Sequence, residues 1–225
     1  MNMRKACALL LAGALPVVLA GCKSYESFDD GITSVKAGSD VVNITKMGGG
    51  IDVADAPNGA NLTTMGGGIH LGNVAVFARV KTMGGSIDID RSTGTVDATS
   101  MGGGITIGTA NGPIKATTMG GDIKVREVGS SSQERDIELT SKGGTIELTV
   151  PKDFPMEVRI TLAYTRTDRV YRIIQHAGLE VRETNAWDTS EGTPRKYIRA
   201  AGRVGSGLNQ VTIKTINGNV ILRQE

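Results

Sequence analysis

Residues 47–51 read Met-Gly-Gly-Gly-Ile. The phrase returns as MGGGI at 65–69, MGGSI at 83–87, MGGGI at 101–105 and MGGDI at 119–123, each 18 residues after the last. A degenerate sixth copy, KGGTI at 142–146, follows after 23 residues, and its five extra residues are assigned to a polar surface loop at Ser130–Glu134. A fixed period of this length marks a repeat architecture in which each unit packs only on its neighbours.

Within each unit the apolar residues alternate. They run Ile51/Val53, Ile69/Leu71, Ile87/Ile89, Ile105/Ile107 and Ile123/Val125, then about nine residues later Ala60/Leu62, Ala78/Val80, Val96/Ala98 and Ile114/Ala116. Period two means short strands with one buried face. The glycine pairs and β-branched residues exclude a helix. Two strands cannot bury an apolar face alone, whereas units stacked in register bury a continuous one. The expected fold is therefore all-β, a right-handed β-solenoid of the parallel β-helix type, built of 18-residue Met-Gly-Gly-x-Ile coils over residues 41–150. Six coils at about 4.8 Å per strand make a rod roughly 25–30 Å long.

The glycines are read as supplying positive φ and tight corners where a Cβ would strike the next coil. Met47, Met65, Met83, Met101 and Met119 share the parity of the Ile four residues later, which places them inward as pliable core filler. A thioether site for a soft metal is the sharper alternative, but the repeat accounts for the spacing without one. A calcium-binding nonapeptide roll fails, because the position of Asp52 is occupied by His70, Thr106 or Lys124 in other coils.

Residues 151–225 stay β-like but irregular. Strands are expected at Glu157–Tyr164, Arg169–Ile174, Leu179–Glu183 and Tyr197–Val204, and Val211–Leu222 restores the repeat's alternation to complete or cap the solenoid. Thr64–Ile69, Thr82–Ile87, Thr118–Ile123 and the closing Gly205–Ile221 segment resemble bacterial adhesin-type domains of unknown function, which repeat short T-x-x-G-x-I units. The family is more varied where this chain repeats Met-Gly-Gly. The resemblance covers most of residues 41–223 and implies a right-handed, glycine-rich solenoid on an envelope protein, with no catalytic residues to carry over.

The amino terminus sets the compartment. Arg4 and Lys5 precede an apolar run, Ala6–Ala20, too short to span a bilayer, and the run ends in Leu19-Ala20-Gly21-Cys22. Residues 1–21 read as a signal peptide, and the last four residues resemble the lipobox of bacterial lipoproteins. That resemblance implies cleavage before Cys22, thioether diacylation of its sulfur and a further acyl chain on the new amino terminus; several chains make a stable membrane anchor. An ordinary secretory signal with an incidental cysteine is the competing reading. Residues 22–40 form the lipidated Cys and a polar tether. Lys23, rather than Asp, follows Cys22, which under enteric-type sorting points to the outer membrane.

Cys7 leaves with the signal and Cys22 is committed to lipid, so no disulfide framework is available. Removing Arg4 and Lys5 leaves 23 basic against 23 acidic residues, and the chain has eight aromatics. A neutral chain with no basic stripe argues against nucleic acid as a partner. The expected partners are the membrane, through Cys22, and an envelope protein or glycan.

Enzyme signals are sparse: there is no phosphate loop, nucleophile elbow or zinc helix. The expectation is a noncatalytic lipoprotein needing no cofactor or metal. One constellation qualifies this. Stacking would align Asp52, His70 and Asp88 outward on successive coils with Asp90 beside them, a face able in principle to bind a metal or serve acid/base chemistry on a polysaccharide; the bland alternative is a solvated ladder. Tyr164, Tyr171, Trp187, Tyr197 and the Arg166/Arg169/Arg172 series could form a ligand surface, against the favoured reading of ordinary strand residues, core on one side and solvated on the other; if a single aromatic marks a binding site, it is Trp187, in the polar stretch 185–194.

Overall fold

A computed structural model describes residues 25–27, 31–35, 40–129, 134–166, 169–190 and 192–225. Cys22 and residues 1–21, read above as a signal peptide, lie outside these residues. The fold is all-β, with no helix among the described residues, and the strands form two mainly parallel sheets.

Each 18-residue coil gives one strand to each sheet. A partial coil, β1 (Tyr25–Ser27) and β2 (Thr33–Val35), is followed by β3 (Val42–Lys46) with β4 (Ile51–Ala56), and β5 (Ala60–Thr64) with β6 (Ile69–Val74). Then come β7 (Phe77–Thr82) with β8 (Ile87–Ser92), β9 (Thr95–Ser100) with β10 (Ile105–Ala110), β11 (Ile114–Thr118) with β12 (Ile123–Glu127), and β13 (Ile137–Ser141) with β14 (Ile146–Val150). Register is set by like on like: Ile51 pairs with Ile69, Ile69 with Ile87 and Ile87 with Ile105. The aliphatic residues between the sheets form one continuous core. The 22–40 segment is thus not wholly a tether, because β1 and β2 pair with β3 and β4 and begin the stack.

The carboxy-terminal region is not threaded in chain order. β15 (Met156–Tyr164), β16 (Ile173–Gln175), β17 (Glu180–Glu183) and β18 (Lys196–Val204) precede β19 (Asn209–Ile216) and β20 (Val220–Gln224) in sequence. In space β19 lies between β13 and β15, and β20 between β14 and β16. The final segment is therefore an internal coil, with Val211 paired to Ile137 on one side and Val158 on the other. The antiparallel β18 and the short, exposed, charged β17 close that end, which blunts edge-to-edge pairing.

The corners explain the glycines. A Cβ on Gly85 would lie 2.3 Å from the Gly67 carbonyl, and one on Gly103 2.3 Å from the Gly85 oxygen. From Gly67 onward the second glycine of each phrase is thus required by close approach of successive coils; among these phrases only Gly49 has positive φ. The third position has more room, and Ser86, Asp122 and Thr145 occupy it in other coils.

The methionines correct the inward expectation. Met47, Met65, Met83, Met101 and Met119 are 42–55% exposed. Parity holds only along a continuous strand, and a bend separates each Met from the following Ile. Counted instead from the strand before it, as in the buried Val42, Ile44 and Lys46, the next residue must point out.

The residue preceding each Met takes the inward place at the corner. Thr64, Thr82, Ser100 and Thr118 are buried. Their hydroxyls donate to the carbonyls of Gly49, Gly67, Gly85 and Gly103 at 2.7–2.9 Å, each 15 residues back. Lys46 holds the same place in the first full coil and donates its Nζ to Gly31 and Gly50 carbonyls.

Candidate functional site

Two clusters stand out on the surface. The first lies on the outer face of the β2-to-β16 sheet. Asp52 pairs with His70, His70 with Asp88, Asp88 with Thr106 and Thr106 with Lys124, so these residues form one outward row. His70 Nδ1 is 2.9 Å from Asp52 Oδ1, and its Nε2 is 3.3 Å from Asp90 Oδ2. Asp88 does not join this pairing; its carboxylate accepts from Ser86 Oγ at 3.2 Å.

The hydrogen bond to Asp52 raises the His70 pKa above its ordinary value, against partial desolvation, and the Asp90 charge adds to the rise. Each ring nitrogen of His70 thus faces a carboxylate, Asp52 on one side and Asp90 on the other. Both nitrogens are engaged within the row, and the arrangement ties neighbouring coils together across the outer face. Among the described residues no group of three or more His, Cys, Asp or Glu side chains could hold a metal ion. Further along the face, Glu147 bridges Lys124 and Arg223 at 3.7 and 2.9 Å, giving a shallow charged groove floored by Gly108 and Val125.

The second cluster sits at the far end of the rod. Trp187 lies on the hairpin between β17 and β18, which is pinned by reciprocal Asp188–Arg195 backbone hydrogen bonds and a turn at Gly192, φ 90°. Both the side chain and backbone N–H of Ser190 donate to Asp188 and lower its pKa. The indole packs edge-on to Tyr164 with centroids 6.0 Å apart, and Tyr164 lies 6.3 Å from Tyr171. Arg166 and Lys196 stand 5.1 and 5.4 Å from the indole centroid. Tyr164 donates its hydroxyl to Glu183, which pushes its pKa up to about 12 and keeps the phenol neutral. This is a half-buried aromatic patch held beneath two cations.

The two clusters account for every candidate surface residue. The structure brings Asp52, His70 and Asp90 together, leaves Asp88 to one side, and seats Trp187 among aromatic and cationic partners rather than alone in a loop. Sequence reasoning missed Lys196 as a partner of Trp187, because 9 residues and a hairpin separate the two and only the cap topology joins them.

Sequence reasoning also missed a buried pair. A register shift pairs Ala110 with Glu127, so Glu127 occupies the inward row otherwise held by Ala56, Val74, Ser92 and Ala110. Burial raises its pKa to about 7, opposed by the Gly129 N–H and by Arg135, whose Nε is 3.9 Å away. The visible signal was an acidic residue replacing a small one just before the five-residue insertion. No protein-family model, curated protein or solved structure matches the chain.

Proposed function

We propose that the chain is a noncatalytic, lipid-anchored envelope protein whose β-solenoid holds a binding surface away from the membrane. The observation that carries this reading is the polarity of the rod. Its amino-terminal coil is at one end, and the Trp187 patch is at the other, with β1 and β18 nine strand steps apart in the sheet. At about 4.8 Å per step the patch stands roughly 43 Å from the end nearest Cys22. Acylation at Cys22 would supply the anchor and place the protein in the bacterial envelope, by its Lys23 in the outer membrane.

The ligand class follows from the cations over the indole. Arg166 and Lys196 occupy the ring's surroundings, so the patch offers positive charge on a rigid aromatic platform rather than a bare stacking face. An acidic envelope glycan fits it. The polysaccharide-enzyme alternative has less support, since both nitrogens of His70 are engaged and Asp88 is outside the pairing.

The test is co-sedimentation of the purified chain lacking residues 1–22 with acidic envelope polysaccharide. Trp187→Ala removes the platform for both cations and is expected to weaken binding at least about tenfold, in the range of an aromatic anchor. His70→Ala should leave binding unchanged. Equal binding by wild type and Trp187→Ala would remove this surface from consideration.

A further inference from the structure

The exposed methionine ridge has no structural cause in the coil. Backbone bonds from Met83 N to Thr64 O, Met101 N to Thr82 O and Met119 N to Ser100 O hold successive positions in register at 3.2–3.3 Å. The position does not demand Met, since Lys142 fills it in the next coil, with its N–H on the Thr118 carbonyl. Other outward rows diversify: Asp52, His70, Asp88, Thr106 and Lys124 form one, and Asn43, Asn61, Arg79, Asp97 and Lys115 another. Five successive thioethers at a solvent-facing site call for a chemical role rather than a packing one.

We propose that the ridge binds a soft monovalent d10 cation, Cu(I) or Ag(I), through sulfurs of methionines on adjacent coils. Neutral, polarizable thioethers favour soft cations over the hard ions that take oxygen. The geometry suits them. A metal–sulfur bond is about 2.3 Å, the length found in zinc–thiolate sites, so two placed end to end span about 4.6 Å. Adjacent strands lie about 4.8 Å apart. Three rotatable bonds let each Met Sδ close the small remainder, and linear two-coordinate binding between neighbours needs no movement of the backbone. The ridge thus offers four adjacent pairs, from Met47/Met65 to Met101/Met119. Met156, the remaining Met among the described residues, is buried in the core and cannot take part. The proposal does not depend on the reading of the Trp187 patch.

Two double variants separate coordination from simple thioether content. Met65→Leu/Met101→Leu leaves Met47, Met83 and Met119, each about 10 Å from the next, and no adjacent pair. Met47→Leu/Met119→Leu also leaves three methionines, but they are contiguous. Leucine keeps the ridge apolar and similar in volume. Titrated with Ag(I) in nitrate buffer, the wild type is expected to bind at least one Ag(I) per chain with sulfur-only scattering in X-ray absorption. The contiguous variant should bind within a fewfold of wild type and the alternating variant at least tenfold more weakly. Equal affinity of the two variants, or no uptake by the wild type, would overturn the proposal. Converting the exposed methionines of folded wild type to sulfoxides should abolish uptake without unfolding; retained uptake would also count against it.

Discussion

At the scale of single residues, two kinds of buried constraint govern this fold: contacts too close for a Cβ and polar groups with few partners. Gly85→Ala would drive a methyl to within 2.3 Å of the Gly67 carbonyl, which must shift, so a loss of about 3 kcal/mol in unfolding free energy is expected. Gly68→Ser meets its nearest atom, the Ser86 carbonyl, at 3.3 Å and should cost under about 1 kcal/mol by denaturant titration. Glu127 sets a pH dependence. Its carboxyl binds a proton more tightly when folded, with a pKa of about 7 against an ordinary 4.5. The contribution of this group to stability is therefore fully present below about pH 4.5 and is lost as the pH rises through 7, about 3 kcal/mol in all. Glu127→Gln should remove most of the fall between pH 5 and pH 8. A smaller slope above pH 6.5 remains from His70, whose pKa is also raised in the folded state.

At the scale of elements, the strands were legible because period two and the 18-residue spacing both reflect the same physical fact, one buried face per strand in stacked coils. The Ile51-to-Ile123 row and the Asp52–His70–Asp88 register follow from that alone. The Met orientation was not recovered, since parity was counted forward across a bend rather than from the strand to which the residue is joined. The Thr/Ser hydroxyl ladder escaped for the same reason: its residues continue the inward row of β5, β7, β9 and β11. Arg169–Ile174 is largely not a strand, as only β16 (Ile173–Gln175) pairs there. The insertion of β19 and β20 between earlier strands was unreadable, because Val211–Leu222 carries the same pattern whether it ends the stack or enters it. A unit-length deletion tests the stacking. Removing residues 83–100 joins Thr82 to Met101 in register and should leave a cooperative β protein with a Tm within about 10 °C of the parent, whereas removing 83–91 leaves half a coil and should abolish cooperative unfolding.

At the scale of the whole molecule, the stacked coils form a rod with a thioether ridge along one corner and a cationic aromatic patch at the closed end, and the proposed anchor, Cys22, precedes the first coil in sequence. The antiparallel cap and the charged β17 keep that end from adding further strands. Among the described residues no helix is long and apolar enough to cross a membrane. Membrane attachment in the proposed function rests on acylation of Cys22. Envelope fractionation with metabolic labelling by an alkyne fatty acid tests this most directly. The wild type should carry label and sediment with membranes, and Cys22→Ala should be unlabelled and soluble. A Cys22→Ala protein that remains with the membrane fraction, or a wild type that takes up no label, would contradict the account.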